Sequence, residues 1–262
     1  MAAHAHAIEI GDLWKSYDQG SSFALKGISL DVAAGEFLAV VGGSGSGKTT
    51  LLKTINRLIE PTRGAVAVDG ADVHTVDPVL LRRRIVYVFQ GVGLFPHLTV
   101  ADNIAVTLRL LGWSRDAIAA RVAELLDLVR LPRELAQRFP ATLSGGQSQR
   151  TGLARALAAR PKMMLMDEPF AAVDPITRDA LSRDYRALHE SLGLTTVMVT
   201  HDVLEAVLLA DRIAVIEDGV LVACGPTNEM LTNPASEAVR ALMEMPRRRA
   251  ERVQALTAGS GT

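Results

Sequence analysis

The stretch that decides the fold is a glycine-rich run, Gly42-Gly43-Ser44-Gly45-Ser46-Gly47-Lys48-Thr49. It fits the phosphate-binding pattern G-x-x-x-x-G-K-[ST] at every defined position. A strand-like apolar run, Phe37 to Val41, precedes it, and a helical run that begins at Thr50 follows it. Glycines let backbone N–H groups approach phosphate oxygens, and the positive end of the following helix favours the same anion. The sequence therefore predicts a nucleotide cradle, in which Lys48 neutralises phosphate charge and the Thr49 hydroxyl completes a Mg²⁺ shell.

Around this run, short apolar segments alternate with longer amphipathic ones, which is typical of α/β folds with a mainly parallel sheet. Three early runs predict a small N-terminal antiparallel β layer: Ile8 to Leu13, Ile28 to Val32 and Ala65 to Val68. Four stiffer runs predict buried central strands: Phe37 to Val41, Val86 to Phe89, Met163 to Met166 and Thr196 to Thr200. The chemistry of open α/β sheets lies beyond the carboxyl ends of such strands.

Between the second and third of these central strands, the apolar residues change to helical spacing. The pattern holds from about Thr99 to Arg138, with Pro132 and Pro140 as breaks. We therefore expect a helical subdomain over about residues 99–159, inside a single domain of residues 1–245. The segment from Asn228 to Ala255 is also predicted to be helical, and residues 246–262 form a tail that is first basic and then polar.

Composition excludes several classes of partner. A net charge of −1 over 262 residues offers no basic field for phosphate backbones, so we expect no nucleic acid partner. No run approaches the ~18 consecutive apolar residues that a membrane span needs. Residues 1–8 lack the basic start and the apolar core of a signal peptide. We therefore expect a chain that is soluble by itself and that reaches a membrane only through a partner.

A pair of carboxylates, Asp167 and Glu168, follows directly on the apolar run Met163 to Met166. Two such groups at the end of a buried strand repel each other unless a cation or a proton compensates. Mg²⁺ supplies that compensation for Asp167, while Glu168 can polarise a water molecule in line with a γ-phosphate. The alternative is that Asp167 only caps a helix. The guanine-reading pattern Asn-Lys-x-Asp does not occur in the chain, which counts against a GTPase.

A second glycine turn, Leu143-Ser144-Gly145-Gly146-Gln147, lies far along the chain from Lys48 and opens another helical run. Such a turn is also an anion-binding helix terminus. One nucleotide does not need two cradles in the same molecule. Two copies arranged head to tail would let each chain's second turn close the nucleotide of the other.

With these motifs in this order, the sequence resembles the ATP-binding cassette (ABC) ATPases from about Ile8 to Met243. The resemblance implies a P-loop NTPase cassette that hydrolyses ATP with Mg²⁺ as a homodimer. It implies catalytic roles for Glu168, His201, Lys48 and Gln90, and Mg²⁺ contacts for Thr49, Gln90 and Asp167. Of the other residues, it implies adenine stacking for Tyr17, nucleotide contact for Thr50, closure of the partner's nucleotide for Ser144, Gly145, Gly146 and Gln147, and a link between the paired sites for Asp174.

The segment Gln90 to Val100 carries two apolar side chains, Phe95 and Leu98, on a predicted loop. In the transporters of this family, that region receives a cytoplasmic helix of the membrane subunit. The resemblance therefore implies contact with integral membrane permease subunits. The alternative is that both side chains pack on the chain's own helical subdomain.

Three short runs are similar to those of the quaternary-amine importers, which take up glycine betaine, choline, carnitine or proline. They are Leu94-Phe95-Pro96-His97, Leu110-Leu111-Gly112-Trp113 and Val173-Asp174-Pro175-Ile176-Thr177-Arg178. The similarity implies uptake of an osmoprotectant, a substrate-binding protein in the complex and a peripheral place on the cytoplasmic side of the inner membrane. The alternatives are the ATPase of a phospholipid or amino-acid transporter, and a soluble scaffold ATPase outside transport.

Overall fold

The computed structural model describes residues 6–245 and residue 251. In chain order, its elements are β1 (His6–Lys15), β2 (Leu25–Ala33), β3 (Phe37–Val41), α1 (Lys48–Ile55), β4 (Arg63–Val68), β5 (Ala71–Asp72), α2 (Pro78–Arg84), β6 (Ile85–Val88), α3 (Val100–Leu110), α4 (Arg115–Leu128), two short 3₁₀ helices (Arg133–Gln137 and Pro140–Thr142), α5 (Gly145–Leu157), β7 (Met163–Asp167), α6 (Pro175–Leu192), β8 (Thr195–Thr200), α7 (Val203–Leu209), β9 (Arg212–Glu217), β10 (Val220–Pro226) and α8 (Thr227–Thr232). The predicted tail of residues 246–262 lies outside the described residues, apart from residue 251.

Four strands form an antiparallel sheet in the order β2-β1-β4-β5. Residues such as Ile8, Ile10 and Leu30 are buried, whereas several of their direct neighbours along the strands are exposed. A period of two is expected where one face of a sheet packs on a core and the other faces water. The predicted N-terminal antiparallel layer is confirmed.

Six strands form the central sheet in the order β10-β9-β3-β8-β7-β6, and only the β10–β9 pair is antiparallel. In β3, Phe37, Ala39 and Val41 pack into a core that contains residues of α3 to α7. Leu38 and Val40 pack on the other face, with α1 and the antiparallel sheet. Because both faces are covered, the strands read as continuous apolar runs. The four predicted central strands are confirmed.

The helical subdomain follows β6 and holds α3, α4, the two 3₁₀ helices and α5. Each of its three α-helices begins at a hydroxyl residue whose oxygen accepts a backbone N–H: Thr99, Ser114 and Ser144. α3 packs against both α4 and α5. The predicted helical pattern is confirmed. Across residues 6–245 and 251, no helix has the length and the apolarity that crossing a membrane requires.

The predicted continuous helix from Asn228 to Ala255 is wrong in its middle. α8 ends at Thr232, and the chain is not helical again until residue 237, from where helix continues to residue 245. Pro234 lies in the gap. A proline has no N–H for the helix ladder and disfavours helical backbone in the residue before it, so the apolar periodicity continues while the helix does not.

A buried histidine, His189, lies on α6 against the central sheet. Its Nδ1 is 3.0 Å from the hydroxyl of Thr196, and the Phe37 ring centroid is 5.1 Å from that of the imidazole. Burial lowers the pKa of His189, and the charge of Arg186 lowers it further. The folded chain therefore resists protonation at this position.

We predict that this histidine makes the chain less stable in mild acid. Below about pH 6.5, the unfolded chain binds a proton that the folded chain resists. Neutral His189 contributes fully to the free energy of unfolding at pH values above its pKa in the unfolded chain. This contribution is lost as the pH falls toward its lower pKa in the folded chain. Urea unfolding measures the free energy of unfolding at about pH 8 and at about pH 5.5. The difference between the two values should be smaller for His189→Gln than for the unsubstituted chain. Equal changes would show that the buried imidazole does not contribute.

Candidate active site

The glycine-rich loop wraps around the amino group of Lys48, the first residue of α1. Lys48 Nζ donates to the backbone carbonyls of Gly42 (2.9 Å) and Gly43 (2.7 Å). The side chain is 7 % exposed, and burial lowers the pKa of Lys48 while the charges of Glu168 and Asp167 raise it. Charged acceptors bind an ammonium group more strongly than carbonyls do, so phosphate oxygens can replace both partners.

At two positions of this loop, a glycine is required because a larger residue would clash with a neighbouring segment and would strain the backbone. Gly47 has φ 103°, and a Cβ there would lie 2.3 Å from the carbonyl oxygen of Ala24. A Cβ at Gly42 would lie 2.1 Å from the carbonyl oxygen of Ile216. At Gly43, in contrast, a Cβ would meet nothing within 4 Å. The loop is thus pressed against two neighbouring segments at its two ends and is open in between.

Asp167, the last residue of β7, joins the cradle to the central sheet. Its Oδ1 accepts from the Thr49 hydroxyl (2.9 Å), and its Oδ2 accepts from the Tyr87 hydroxyl (2.8 Å). Burial, and then the charge of Asp167, raise the pKa of Tyr87, so its hydroxyl keeps the proton that it donates. Tyr87 is a site residue that the motifs do not reveal. The signal was a tyrosine in a run predicted as a buried strand, because a buried hydroxyl needs a polar partner.

Glu168 is the centre of a second cluster. Its Oε2 accepts from Gln90 Nε2 (3.3 Å), and its Oε1 lies 3.1 Å from His201 Nδ1. The backbone of Glu168 has φ 45°, and its N–H donates to the Val199 carbonyl (2.9 Å). A left-handed φ is unusual for glutamate, and such strain is concentrated at functional sites. The structure therefore brings together the three predicted residues that follow β6, β7 and β8.

Tyr17 lies at the edge of the cradle and leaves its ring accessible. Its hydroxyl is 3.2 Å from the Thr50 hydroxyl, and the ring is 64 % exposed. Lys15 Nζ lies 5.1 Å from the ring centroid. An aromatic ring held beside the first turn of α1 offers a flat surface to a base whose phosphates lie in the loop.

The second glycine turn lies at the N-terminus of α5, where Ser144 and Gln147 form a reciprocal capping box. Asp174 caps α6 in a similar way, accepting from Thr177 N at 3.0 Å. The two helix ends are close neighbours, because a Cβ on Gly146 would lie 2.6 Å from Thr177 Cγ2. Ser144, Gly145 and Asp174 are exposed. Within residues 6–245, neither end has a hydrogen bond to the Lys48 cradle, so these residues form a separate surface.

The segment after Gln90 covers a cavity of about 310 Å³. The buried Asn103 side chain accepts from Phe95 N (2.8 Å) and donates to the carbonyls of Phe95, Leu98 and Thr99. Arg155 donates to the carbonyls of Val92 and Gly93 (2.7 and 2.8 Å). The segment is thus attached to α3 and α5, while the Phe95 ring stays 42 % exposed at the rim.

Comparison with known proteins agrees with this arrangement. The family model described as "ABC transporter" matches residues 25–171, which is more than half of the chain. The chain belongs to the ABC transporter family. The structure has the mainly parallel sheet, the antiparallel layer and the helical subdomain expected of an ABC cassette, so the predicted fold class is confirmed.

Two similar relatives are described as transport ATP-binding proteins. The chain is 50 % identical over 221 residues to the glycine betaine/carnitine/choline transport ATP-binding protein OpuCA of Bacillus subtilis. The matched region covers 84 % of this chain and 58 % of that protein. It is 48 % identical over 225 residues to the choline transport ATP-binding protein OpuBA of the same organism, over 86 % of this chain and 59 % of that protein. The chain therefore spans a little over half the length of these two relatives.

A solved ABC structure has the same architecture. The dimeric post-hydrolysis state of the ATP-binding cassette MJ0796, bound to ADP and Pi, matches with a TM-score of 0.75 and 33 % identity. The match covers 84 % of this chain and 98 % of that one.

The two ends of the cradle predict a contrast between glycine substitutions. We expect Gly47→Ala to lower the free energy of unfolding by about 2 kcal/mol and to prevent binding of a fluorescent ATP analogue, because its Cβ would clash and its backbone would be strained. Gly43→Ala is the matched control and should stay within about 0.5 kcal/mol and keep binding. Urea unfolding and fluorescence titration measure both. If the two variants behaved alike, the close approach to Ala24 would not matter.

Proposed function

We propose that this chain is the ATP-hydrolysing subunit of a membrane transporter, working as a homodimer to power uptake of a quaternary-amine osmoprotectant. The observation that carries the hydrolytic part is the cluster around Glu168. Gln90 places its Nε2 3.3 Å from one oxygen of the Glu168 carboxylate, and His201 places its Nδ1 3.1 Å from the other. It lies beyond the carboxyl ends of three adjacent strands, where ligands of open α/β sheets bind.

ATP binding is proposed for the cradle and its edge. The triphosphate would lie against the loop of residues 42–47, with Lys48 turning from its carbonyl partners to the phosphate oxygens. The exposed Tyr17 ring would stack on adenine, and the hydroxyls of Thr49 and Thr50 would face the phosphates. The 0.75 TM-score match to a cassette bound to ADP and Pi supports this use of the site.

The residues around Asp167 fit a magnesium ion. The Asp167 carboxylate and the Thr49 hydroxyl are oxygen donors of the kind that Mg²⁺ prefers, and they already lie 2.9 Å apart. Gln90 would be the third contact from the protein. A magnesium ion held by these residues would supply positive charge against the negative charge that develops on the phosphate oxygens. Tyr87 would hold the Asp167 carboxylate in place through its other oxygen.

Hydrolysis is proposed to use Glu168 as the general base. Its carboxylate would take a proton from a water molecule in line with the γ-phosphate, while Gln90 orients the water. His201 would hold the γ-phosphate and fix the carboxylate, since its ring already lies beside Glu168. Lys48 would stabilise the negative charge that accumulates on the transferred group.

Dimer formation is proposed because each chain divides the required groups between two separate surfaces. In the helix end of Ser144, Gly145, Gly146 and Gln147, the first two residues are exposed and the last two are partly exposed. The capping box uses the N–H groups of Ser144 and Gln147, so those of Gly145 and Gly146 are the ones offered to an anion. Placed over the cradle of a second copy, it would close that copy's nucleotide, and the two Asp174 loops would meet between the sites. The similar cassette was solved as a dimer.

A permease is proposed as the partner of the Gln90 to Val100 segment. The cavity of about 310 Å³ beneath it is lined mainly by apolar residues, and Phe95 stands at its rim. The relatives support the substrate class, because OpuCA is described as a transport protein for glycine betaine, carnitine and choline, and OpuBA as one for choline. A peripheral position on the cytoplasmic face and a separate substrate-binding protein complete the proposal. Phospholipid or amino-acid cargo remains the alternative.

Replacing the proposed base should separate binding from hydrolysis. We expect Glu168→Gln to bind ATP, to accumulate as an ATP-bound dimer and to release phosphate about 10²–10⁴-fold more slowly. Glu190→Gln makes the same change on the exposed face of α6 and should hydrolyse ATP normally. Gel filtration with ATP and a phosphate-release assay measure both properties. Near-normal turnover in Glu168→Gln would mean that another group is the base.

Capture from membranes tests the transport proposal. Tagged Glu168→Gln, solubilised with ATP, should bring down a permease and a binding protein for quaternary amines. Adding Phe95→Glu should abolish the capture without changing ATP binding. Leu192→Glu is the control, since Leu192 has similar exposure (47 %) but lies at the far end of α6. Capture of a lipid-binding protein would change the proposed cargo to a phospholipid. Recovery of a dimer without any membrane protein would favour the soluble scaffold ATPase.

A further inference from the structure

Arg178, in the first turn of α6, contacts two loops at once. Its Nη2 donates to the carbonyl of Val173 at 3.3 Å, and its Nη1 lies 3.6 Å from Asp202 Oδ2. Val173 directly precedes Asp174, and Asp202 directly follows His201. One planar guanidinium group therefore lies between the loop assigned to the dimer interface and the loop that carries the histidine of the active site.

Asp202 is held so that only one of its oxygens faces Arg178. Its Oδ1 caps α7 by accepting from Leu204 N (3.0 Å) and Glu205 N (3.4 Å). Its own N–H donates to the Thr200 hydroxyl at 3.0 Å. The backbone on both sides of His201 is thus fixed to the start of α7. A displacement of Asp202 by Arg178 would move His201 with it.

A second carboxylate makes the positive charge of Arg178 more important. Glu205 is 8 % exposed, and burial raises its pKa, whereas the hydrogen bond with Thr200 and then the charge of Arg178 lower it. Arg178, Asp202 and Glu205 line one cavity of about 170 Å³ between α6 and α7. Asp179 lines the same cavity but pairs with Arg183, whereas Arg178 places its positive charge beside Asp202 and Glu205. Loss of Arg178 would remove that charge from both carboxyl groups.

The alternative is that Arg178 and Asp202 form only a surface ion pair with little effect on stability or activity. An ion pair of that kind occurs on the same helix and allows a comparison. Arg183 pairs with Asp179 at 2.8 Å, and both side chains are more than half exposed. Such pairs contribute little to stability. Arg178 differs because its side chain is about two-thirds buried and because its second nitrogen binds a backbone carbonyl on another loop. A guanidinium fork fixes direction as well as charge, which a lysine cannot do.

We propose that Arg178 is a positioning residue that couples the Asp174 loop to the His201 loop. The inference rests on the proposed dimer. Contact of Asp174 with the partner would move the Val173 carbonyl, and Arg178 would pass that displacement to Asp202 and so to His201. Each site would then complete its γ-phosphate contact only when the dimer is closed. Coupling of this kind is reciprocal between the two sites.

Substitutions on one helix test the proposal. Arg178→Gln removes the charge and the fork, Arg178→Lys keeps the charge alone, and Arg183→Gln is the matched control. For each protein, the measurements are the thermal midpoint, ATP-analogue affinity at concentrations where the chain is monomeric, kcat, and the Hill coefficient for ATP. The strength of the ATP-bound dimer is measured in the Glu168→Gln background.

For Arg178→Gln, we expect unchanged monomer affinity, a kcat lowered about tenfold and a Hill coefficient that falls from about 2 toward about 1. The ATP-bound dimer should weaken by a similar factor, and Arg178→Lys should recover only part of the loss. Arg183→Gln should match the unsubstituted chain. A structural role alone would lower the thermal midpoint without separating affinity from kcat.

Asp202→Asn provides an independent check, because asparagine retains the oxygen that caps α7 and loses the charge that faces Arg178. The double variant with Arg178→Gln should be no worse than the more impaired single variant. Full cooperativity in Arg178→Gln, or additive losses in the double variant, would overturn the coupling while leaving the hydrolytic proposal intact. An unsubstituted chain that hydrolyses ATP without cooperativity would instead count against the dimer itself.

Discussion

The hydrogen bond between the Thr49 hydroxyl and Asp167 joins the two parts of the site that the chain builds separately. Thr49 belongs to α1, which follows β3, whereas Asp167 ends β7, and β8 lies between these strands in the sheet. The contact can form only if the strand ends are level. The register provides this, since Val41 pairs with Thr200 and Asp167 pairs with Val199. The same register continues to β6, where Val88 pairs with Met166 and so brings Gln90 level with Glu168.

The continuous burial of β3, β7 and β8 makes that alignment rigid. Alternate residues of β3 enter two different cores, one under the helices and one under α1 and the antiparallel sheet. A slip by one residue would exchange these two sets of side chains and would also separate Thr49 from Asp167. The packing of the core and the geometry of the site therefore constrain the same register. This explains why a site assembled from three strands needs only short polar turns beyond them.

Much of this architecture could be predicted from the sequence, because its signals are local. The cradle and the run before it are contiguous, and the four central strands are bounded by turns. β9 and β10 were missed as strands of the central sheet: they form a hairpin around Asp218 and Gly219, and its edge strand is only partly buried. Tyr87 could not be assigned to Asp167, because the contact depends on the pairing of β6 with β7. The break at residues 233–236 shows the converse, since apolar spacing continued across a proline that ends the helix.

The segment from Gln90 to Val100 is hydrogen-bonded both to the central sheet and to the helical subdomain. Gln90 is hydrogen-bonded to Glu168 and so to the central sheet, whereas Val92 and Gly93 are held by Arg155 of α5. Phe95 and Leu98 are held by Asn103 of α3. Several hydrogen bonds join the segment to the helical subdomain. One hydrogen bond, from Gln90 to Glu168, joins it to the sheet side, and this bond is longer, at 3.3 Å. In this segment, a rotation of the helical subdomain relative to the sheet would be absorbed at the Gln90 side chain or near Gly91. Gly91 has φ 76°, and a glycine there can change its backbone conformation at little steric cost. A displacement of Phe95 thus reaches the carboxylate of Glu168 through the longest of these hydrogen bonds. That arrangement lets a contact on the outer surface change the geometry around the Glu168 carboxylate without disturbing the cradle around Lys48.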